Sequence, residues 1–531
     1  MAIGQKLRLR ASHVTFSIVF SVWLYAVYNA LNIDKLAKWF YGKDGLDFTA
    51  LSAYLLAGLG IFVAFFILLA HRWTIKPLAT LLVVVSAAAT YFISKYNVAI
   101  DSSMIRNTVY TDPTEVGQLL SPQMIPYVLL LIILPAVVIW SVDITFRAKG
   151  RYLYASLKLF SVALFVAIVA LYLNYTAIHR AGNVSNKYIV YSLVPINLIS
   201  GTLSVVSSST KPFLKSLKKD VEITGQVSSL DNLVVVLAVG ESSRRRNFSV
   251  YGYRRQNTNP TLRKIRGLHF LNGIATRGTT LYALPEILEK KNVKLPAIVS
   301  KLGIPTSCYV NFTLYDNCVL PGETKVSKCG HGGKCYDEDV IPLLEDNLKS
   351  YVSGYRFVVL HLGGGSHGPA YADRYPSEFQ KFKPMCNDAD IANECTIDQL
   401  YNSYDNTILY VDYVLGEIIK KLDGARVPYV FIYLSDHGES LMEDGRMFHG
   451  MPPGVPLPPE QAEVPLIVKS SVPISIIERP TYHQQDVFDT VLDLFAIQTT
   501  MFDTNGSFIK RRKVQRDDVA SPPQPHRSSL R

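Results

Sequence analysis

The sequence predicts an α/β protein in two parts, a five-helix transmembrane domain followed by a soluble domain with a mainly parallel sheet. Hydrophobic residues make up 49% of the 531 residues, a high share for a wholly soluble chain. Nearly all the long uncharged runs lie before Tyr175, whereas charged residues and proline dominate after it. In this second part, short apolar and β-branched runs alternate with patterns long enough for helices.

Five apolar segments are long enough to cross a bilayer as helices. They lie near residues 13–31, 51–70, 78–92, 125–142 and 157–173. The first segment is followed by four more and by no small-residue cleavage site, so we expect it to remain as an anchor and not to act as a signal peptide.

The basic residues indicate the orientation of these helices. Lysine and arginine cluster before the first segment, between the second and third, and between the fourth and fifth, whereas the other loops mix charges. The positive-inside rule therefore places the amino terminus in the cytoplasm and the part after Tyr175 outside. Because many basic residues flank the apolar runs, and no zinc-finger spacing or basic helix occurs, the formal charge of +11 does not favour nucleic-acid binding.

All six cysteines lie in the second part of the chain. They are Cys308, Cys318, Cys329, Cys335, Cys386 and Cys395. An even count at close spacing favours disulfides in an oxidising compartment, with a site of four thiolates as the alternative. No pair has the Cys-x-x-Cys spacing of structural zinc, so we predict disulfides, with the connectivity left open.

Composition divides the chain into four predicted segments. They are a transmembrane domain over residues 1–175, a membrane-surface linker over 176–229, a soluble catalytic domain over 230–505 and a tail over 506–531. In the linker, an amphipathic stretch over 193–217 ends in lysines, which favours a helix on the membrane surface over a plain linker. The tail is charged and rich in proline and serine, so we expect it to be disordered.

Polar and ionisable side chains follow the predicted strands of the soluble domain. The apolar runs 233–239, 357–362, 429–434 and 464–468 predict a buried parallel sheet. In such sheets ligands bind beyond the carboxyl ends of the strands. Three of these ends carry carboxylates, hydroxyls or imidazoles, namely Glu241, Ser366, His367, Asp436 and His437, with His449 shortly after.

Any one of these residues would ordinarily be a cap or a loop contact, but their convergence indicates a site. Oxygen and nitrogen ligands of this kind suit zinc. The segment 277–285 has the small and hydroxylated residues of a helix start. A threonine there is ordinarily a cap; beside zinc and the exposed amides of the helix end, its oxygen could instead attack phosphorus.

Several motifs in order carry a family resemblance. They are VGESSRRRNFS at 239–249, SHGPAY at 366–371, NSYDN at 402–406, LSDHGESL at 434–441 and HGMP at 449–452, with IDSSMIRN at 100–107 and TDPTE at 111–115. Together they resemble the bacterial phosphoethanolamine transferases, which modify lipid A and lipopolysaccharide core sugars and include the mobile colistin-resistance enzymes. The resemblance covers nearly the whole chain apart from the tail, and it implies an alkaline-phosphatase-like, sulfatase-like fold for the soluble domain.

The resemblance also implies roles for individual residues. Zinc ligands match Glu241, Thr280, Asp436 and His437; the nucleophile matches Thr280 when counted back from Pro285, with Thr279 as the alternative. His367 and His449 match histidines that contact the substrate phosphate or a second zinc. Asn107, Thr111 and Glu115 match positions that bind the lipid donor or its headgroup. Family members usually bracket the threonine helix with a disulfide, whereas Arg277 and Glu286 stand near those places here.

The activity implied by the resemblance is a zinc-dependent, two-step transfer in the periplasm. Thr280 takes phosphoethanolamine from phosphatidylethanolamine, and lipid A phosphate then accepts it, which lowers sensitivity to polymyxin. The alternative acceptor is Kdo or heptose of the lipopolysaccharide core. A catalytically inactive sensor or scaffold is a rival class, but the complete ligand set argues against it. A phosphoglycerol transferase, which would use a different donor headgroup, is a more distant alternative.

Overall fold

The computed structural model describes residues 9–42, 45–110, 121–122, 124–185, 188–215, 225–227, 231–311, 324–326, 335–388, 390–452 and 454–511. The predictions for Thr111, Glu115, Cys318 and Cys329 lie outside these residues. We call the helical part up to Lys215 the membrane region, and the part from Leu233 to Arg511 the sheet region.

The described residues of the membrane region form eight helices of nine residues or more. They are α1 (His13–Ala30), α2 (Phe48–Leu69), α3 (Ile75–Tyr96), α4 (Ser102–Tyr110), α5 (Met124–Ser141), α6 (Lys149–Leu173), α7 (Tyr175–Val184) and α8 (Ile196–Lys215). Among the described residues, α1, α2, α3, α5 and α6 are long and apolar enough to cross a membrane, which confirms the five predicted spans.

Helix α3 is longer at both ends than its apolar run predicts. It begins at Ile75 and continues through Thr90 and Lys95 to Tyr96. Thr90 is buried and donates a hydrogen bond to the Tyr28 carbonyl of α1, so this polar residue is accommodated inside the bundle. The helix ends where Asn97 adopts a left-handed conformation, which is a common way for a helix to stop.

The sheet region is built on a central sheet of eight strands. In chain order they are β1 (Leu233–Gly240), β2 (Leu268–Ile274), β3 (Thr306–Val310), β4 (Thr324–Val326), β5 (Tyr355–Leu362), β6 (Tyr429–Ser435), β7 (Glu463–Ser470) and β8 (Tyr482–His483). Their order across the sheet is β4-β3-β5-β1-β6-β7-β2-β8.

The sheet is mainly parallel, as predicted, with one exception. Strand β7, the 464–468 run, pairs antiparallel with both β6 and β2. The other neighbouring pairs are parallel. The expectation that all four apolar runs form parallel strands is therefore wrong for β7, because burial on both faces makes a strand apolar whichever way it runs.

Strand β1 lies at the centre and is buried throughout. Val234, Val236 and Ala238 face one core, whereas Leu233, Val235, Leu237 and Val239 face the other. The long helix α12 (Ile397–Ala425) covers the first face. Helices α9 (Thr280–Leu288), α10 (Leu295–Lys301) and α13 (Asp486–Leu494) cover the second, and α11 (Ile341–Lys349) packs beside α12. This layering leaves the strand ends as the accessible edge.

The disulfide prediction is confirmed where the structure tests it. Cys386 and Cys395 are bonded to each other. Cys308 and Cys335 each take part in a disulfide, and no described cysteine is free. The tail prediction is wrong for its first residues, because the strand Ile509–Arg511 pairs with Ile474–Ile476. Residues 512–531 lie outside the described part of the chain.

Candidate active site

The site lies where three adjacent parallel strands end together. Gly240, the last residue of β1, is paired with Leu362 of β5 on one side and with Ser435 of β6 on the other. The next residues therefore leave the sheet side by side, and the backbone N–H of Asp436 donates to the Gly240 carbonyl at 2.9 Å. Parallel pairing in register is what brings Glu241 and Asp436 together, although they are far apart in sequence.

Thr280 is the first residue of α9, and its hydroxyl points at these strand ends. Its Oγ1 donates to Glu241 Oε2 at 2.7 Å and lies 3.4 Å from His437 Nε2. Thr279 is the extended residue just before the helix, and its side chain makes no capping hydrogen bond. Of the two threonines, Thr280 is thus the one in contact with the predicted ligands.

His437 presents one ring nitrogen to a group of oxygens. Its Nδ1 lies 3.0 Å from the Gly438 carbonyl, so Nδ1 carries the proton and donates it there. Its Nε2 faces Glu241 Oε1 at 3.4 Å, Asp436 Oδ2 at 3.3 Å and Thr280 Oγ1 at 3.4 Å. A carbonyl that holds one ring nitrogen orients the other toward a metal ion in many histidine sites.

Asp436 is fully buried, and only one of its two carboxylate oxygens accepts hydrogen bonds from the described residues. Its Oδ1 accepts hydrogen bonds from the backbone N–H groups of Ser242 and His437, at 3.0 and 2.7 Å. Its Oδ2 accepts none from any described residue and faces His437 Nε2. A buried carboxylate oxygen without a partner is costly unless a cation or another donor binds it.

The donor set therefore fits a metal ion. Ligand atoms of Glu241, His437 and His449 lie within 4.8 Å of one another, and the unpartnered oxygen of Asp436 faces the same nitrogen. Carboxylate oxygens with neutral imidazole are ligands that zinc accepts. Thr280 Oγ1 stands beside them, so the four residues predicted to bind zinc are together in the structure.

His449 is held on the other side of this group by Glu439. Its Nδ1 lies 2.7 Å from Glu439 Oε2, and its ring centroid is 4.3 Å from that of His437. Burial alone lowers the pKa of His449, but the charge and hydrogen bond of Glu439 outweigh burial and raise the pKa to about 9. The second oxygen of Glu439 accepts hydrogen bonds from the Gly368 N–H and the Tyr371 hydroxyl, which fix the carboxylate in place.

His367 lies farther from the centre. Its ring centroid is 6.4 Å from that of His449, and its backbone carbonyl accepts a hydrogen bond from Arg374 Nε. Burial, reinforced by the positive charge of Arg374, lowers the pKa of His367 well below its usual range. Burial therefore favours the neutral form of this ring.

The glycine run after β5 supports Glu241 from behind. Asp337 Oδ1 accepts hydrogen bonds from Asn311 Nδ2 and the Gly364 N–H, and its Oδ2 accepts one from the Gly365 N–H. Gly365 has a φ of +41°, and a Cβ on it would lie 2.3 Å from Glu241 Cβ. Only glycine fits this close approach. By binding the N–H groups of Gly364 and Gly365, Asp337 fixes the backbone that packs against Glu241.

The two residues at the places of the family's disulfide form an ion pair. Arg277 Nε donates to Glu286 Oε1 at 3.0 Å, across the start of α9. Glu286 Oε2 also accepts a hydrogen bond from Gln485, whose Nε2 lies 3.3 Å from Thr276 Oγ1. An ion pair and hydrogen bonds thus connect the residues on either side of the start of α9, where the family has a disulfide.

Helix α4 brings the membrane region to the mouth of the site. Met104 of this helix lies close to Gly450: a Cβ placed on Gly450 would lie 3.9 Å from the Met104 methyl group and 3.3 Å from that of Thr279. Asn107 lies one turn farther along this helix, and Thr111 and Glu115 lie outside the described residues. Of the three predicted donor-binding residues, only Asn107 lies within the described part of the chain.

Sequence reasoning missed two residues that organise the site. Glu439 stands inside the quoted 434–441 motif, and its place two residues after His437 was the available signal. Asp337 had none, because it acts through backbone amides more than twenty residues away in sequence.

Comparison with known proteins agrees with this geometry. Residues 59–210 match the family described as phosphoethanolamine transferase EptA/EptB, and residues 233–497 match the sulfatase family. Phosphoethanolamine transferase EptA of Escherichia coli strain K12 is 31% identical over 482 residues, covering 81% of this chain and 84% of the relative. Phosphatidylethanolamine transferase Mcr-1 from Escherichia coli is 27% identical over 536 residues, covering 93% and 95%.

A solved structure shares the whole architecture. The integral membrane lipooligosaccharide phosphoethanolamine transferase A from Neisseria meningitidis aligns with a TM-score of 0.78, covering 94% of this chain and 98% of that protein at 24% identity. This match agrees with the predicted order of five membrane helices followed by a sulfatase-like domain. Together with the identity to the curated relatives, it leads to one conclusion: the chain belongs to the phosphoethanolamine transferase family.

Proposed function

We propose that this protein transfers phosphoethanolamine from phosphatidylethanolamine to a phosphate of lipid A, through a covalent phosphoethanolamine intermediate on Thr280. Relatives whose names state phosphoethanolamine or phosphatidylethanolamine transfer support the reaction class. The observation that carries the proposal is the contact of Thr280 Oγ1 with both Glu241 and His437. A buried hydroxyl at a helix start, hydrogen-bonded to a carboxylate, is arranged for deprotonation and attack.

In the first step, Thr280 Oγ1 forms a bond to phosphorus and the bond from phosphorus to the diacylglycerol oxygen breaks. The threonine proton leaves along its hydrogen bond to Glu241 Oε2. The backbone amides at the start of α9 bind phosphate oxygens. Zinc, bound by Glu241, Thr280, Asp436 and His437, would supply positive charge for the developing alkoxide and the phosphoryl group.

His449 is the group proposed to protonate the departing diacylglycerol oxygen. Glu439 holds its Nδ1, so the ring turns its other nitrogen away from this carboxylate. In the second step an acceptor oxygen attacks phosphorus, the phosphorus–Thr280 bond breaks, and Glu241 returns its proton to the threonine oxygen; His449 regains its proton from the acceptor or from water. His367 and Asn107 are proposed to contact the donor phosphate and headgroup, as are Thr111 and Glu115.

The intermediate can be tested by trapping. Incubation with phosphatidylethanolamine and no acceptor is expected to leave phosphoethanolamine on Thr280, located by peptide mass spectrometry. Thr280→Ala should abolish both the adduct and transfer, whereas Thr279→Ala should retain the adduct. An adduct on Thr279 would move the nucleophile by one residue, and an active enzyme that forms no adduct would refute the two-step mechanism.

The acceptor can be identified with defined glycolipids. A mass increase on the lipid A fragment is expected; an increase only on the core fragment would instead favour Kdo or heptose. Transfer to a lipid A phosphate adds an ammonium group to an anionic surface, which weakens its attraction for cationic peptides. Expression in a polymyxin-sensitive bacterium should therefore raise the inhibitory concentration of polymyxin, and Thr280→Ala should not.

We further propose that the protein lies in the bacterial inner membrane with its amino terminus in the cytoplasm and its sheet region in the periplasm. The clusters of lysine and arginine and the disulfide between Cys386 and Cys395 support this orientation. A periplasm-dependent reporter fused after Ser229 should be active. Activity of a cytoplasmic reporter there, together with freely reactive thiols, would reverse the orientation.

A further inference from the structure

The segment that carries His449 touches the membrane region at alternate residues. Phe448 pairs with Ser440 and Met447 with Leu441 in a short antiparallel hairpin. Met447 is fully buried and His449 faces the site. The residues beside them, Arg446, Phe448 and Gly450, are the ones that approach the membrane region.

Each of these three residues meets a different element of the membrane region. The guanidinium of Arg446 lies 5.8 Å from the ring centroid of Tyr188. The ring of Phe448 packs on Tyr96, the last residue of α3, with 4.9 Å between centroids. Gly450 faces Met104 of α4, as described above. The hairpin face beside His449 is therefore docked on the membrane region.

Phe448 stands in a conformation that its own chemistry disfavours. Its φ is +64°, in the left-handed region that bulky residues rarely adopt. Such a conformation persists when the surrounding structure over-determines it, and it is common at functional sites. The ring is held between Tyr96 on one side and Gly368 on the other, where a Cβ would lie 2.8 Å from Phe448 Cε1.

We propose that Tyr96 is a positioning residue for catalysis: by packing on Phe448, the membrane region sets the place of His449 in the active site. Phe448 directly precedes His449, and Gly368 directly follows His367, so one aromatic contact supports both histidine segments. Docking of the sheet region on the membrane thereby completes the site. This inference rests on the proposed function for its kinetic test and on geometry alone for its chemical test.

The test uses the full-length protein in detergent or lipid discs. Tyr96→Ala should lower kcat for phosphoethanolamine transfer by about 10- to 100-fold, the scale of a misplaced catalytic group. Tyr96→Phe keeps the ring and should stay within about twofold of the wild type. Phe448→Gly removes the ring while tolerating the positive φ, so it should lose kcat although the local backbone strain is relieved.

Tyr28→Ala is the matched control. Tyr28 is also a fully buried tyrosine, and it packs on Trp23 inside the membrane region. Equal losses of kcat in Tyr28→Ala and Tyr96→Ala at equal loss of thermal stability would overturn the proposal, as would wild-type kcat in both Tyr96→Ala and Phe448→Gly.

A second measurement does not depend on activity. The rate at which diethyl pyrocarbonate modifies His449, followed by peptide mass spectrometry, should rise several-fold in Tyr96→Ala and stay unchanged in Tyr28→Ala. An unchanged rate in Tyr96→Ala would overturn the inference even in an active enzyme. If the wild type transfers no phosphoethanolamine, the proposed function fails, and the modification rate still decides the positioning role.

Discussion

Buried polar side chains find their partners in different ways in the two regions. In the membrane region several of them donate to backbone carbonyls: Ser17 to that of His13, Asn29 to those of Tyr25 and Val194, and Thr90 to that of Tyr28. These donors are thus paired with backbone acceptors at a depth where a bilayer offers no water.

In the sheet region, several buried carboxylates instead accept hydrogen bonds from backbone N–H groups. Asp337 and Asp412 each bind two such groups, and Asp436 does so with one oxygen only. This difference indicates where a metal ion or a substrate can bind. At the ends of β1 and β6, the carboxylates of Glu241 and Asp436 both face His437 Nε2, and Asp436 Oδ2 accepts no hydrogen bond from any described residue, so the largest effects of substitution are expected there.

The strongest test of this contrast removes Asp436 or His437, which meet at these strand ends. Asp436→Ala and His437→Ala should each lose bound zinc, measured by elemental analysis, and lower transfer by about 100- to 1,000-fold, because groups acting at the reacting centre are removed. Asp346→Ala and His483→Ala, at exposed positions of the same region, should change neither. Full zinc occupancy with normal turnover in both active-site variants would contradict the metal assignment.

Much of the candidate site at the carboxyl ends of the strands can be predicted from the sequence, because simple rules connect the sequence to this part of the fold. Buried apolar runs mark β1, β5 and β6, parallel strands share one edge, and the residues that follow them therefore meet. The same reasoning explains why Glu241, Asp436 and His437 could be named together. Thr280 needed the resemblance, since a threonine at a helix start has an ordinary role as a cap.

Other parts could not be predicted from local patterns. The direction of β7 is invisible because both of its faces are buried. Asp337 acts through amides of a distant glycine run, which leaves no trace in spacing or periodicity. The contact of Phe448 with Tyr96 joins two regions more than three hundred residues apart in sequence, and each residue by itself is an ordinary aromatic.

A finer test compares two buried carboxylates that differ in the backbone segment whose N–H groups they bind. Asp337 and Asp412 are both buried, burial raises the pKa of each, and each accepts two backbone hydrogen bonds. Asp337→Asn turns an amide donor toward the glycine run behind Glu241. It should weaken zinc binding by about 10- to 100-fold, the usual effect of disturbing a residue behind a metal ligand.

Asp412→Asn is the control, since its partners are the amides of Thr261 and Leu262, outside the site. It should lower the melting temperature to a similar extent and leave zinc affinity within about twofold. Equal loss of zinc affinity in both variants would mean that Asp337 acts only on overall stability. Affinity is measured by competition with a zinc chelator, which separates the two effects.

The smallest expected effect concerns a contact of the sheet region that is neither buried nor made with the backbone. Arg277 and Glu286 bracket the start of α9, and their side chains are 46% and 25% exposed, so water and salt screen their attraction. Arg277→Glu should lower transfer by about two- to fivefold, in keeping with the 0.2–1 kcal/mol of exposed pairs.

The double reversal Arg277→Glu with Glu286→Arg should restore most of the lost transfer, and raising the salt concentration should shrink the difference between single variant and wild type. Lys420 and Glu417 form a matched pair at the same 3.0 Å on the surface of α12. Their reversal should change nothing, because that helix surface holds no residue of the site. If Arg277→Glu retains full transfer at low salt, the ion pair does not position the threonine helix, and the hydrogen bonds of Gln485 to Glu286 and Thr276 remain as its bracket.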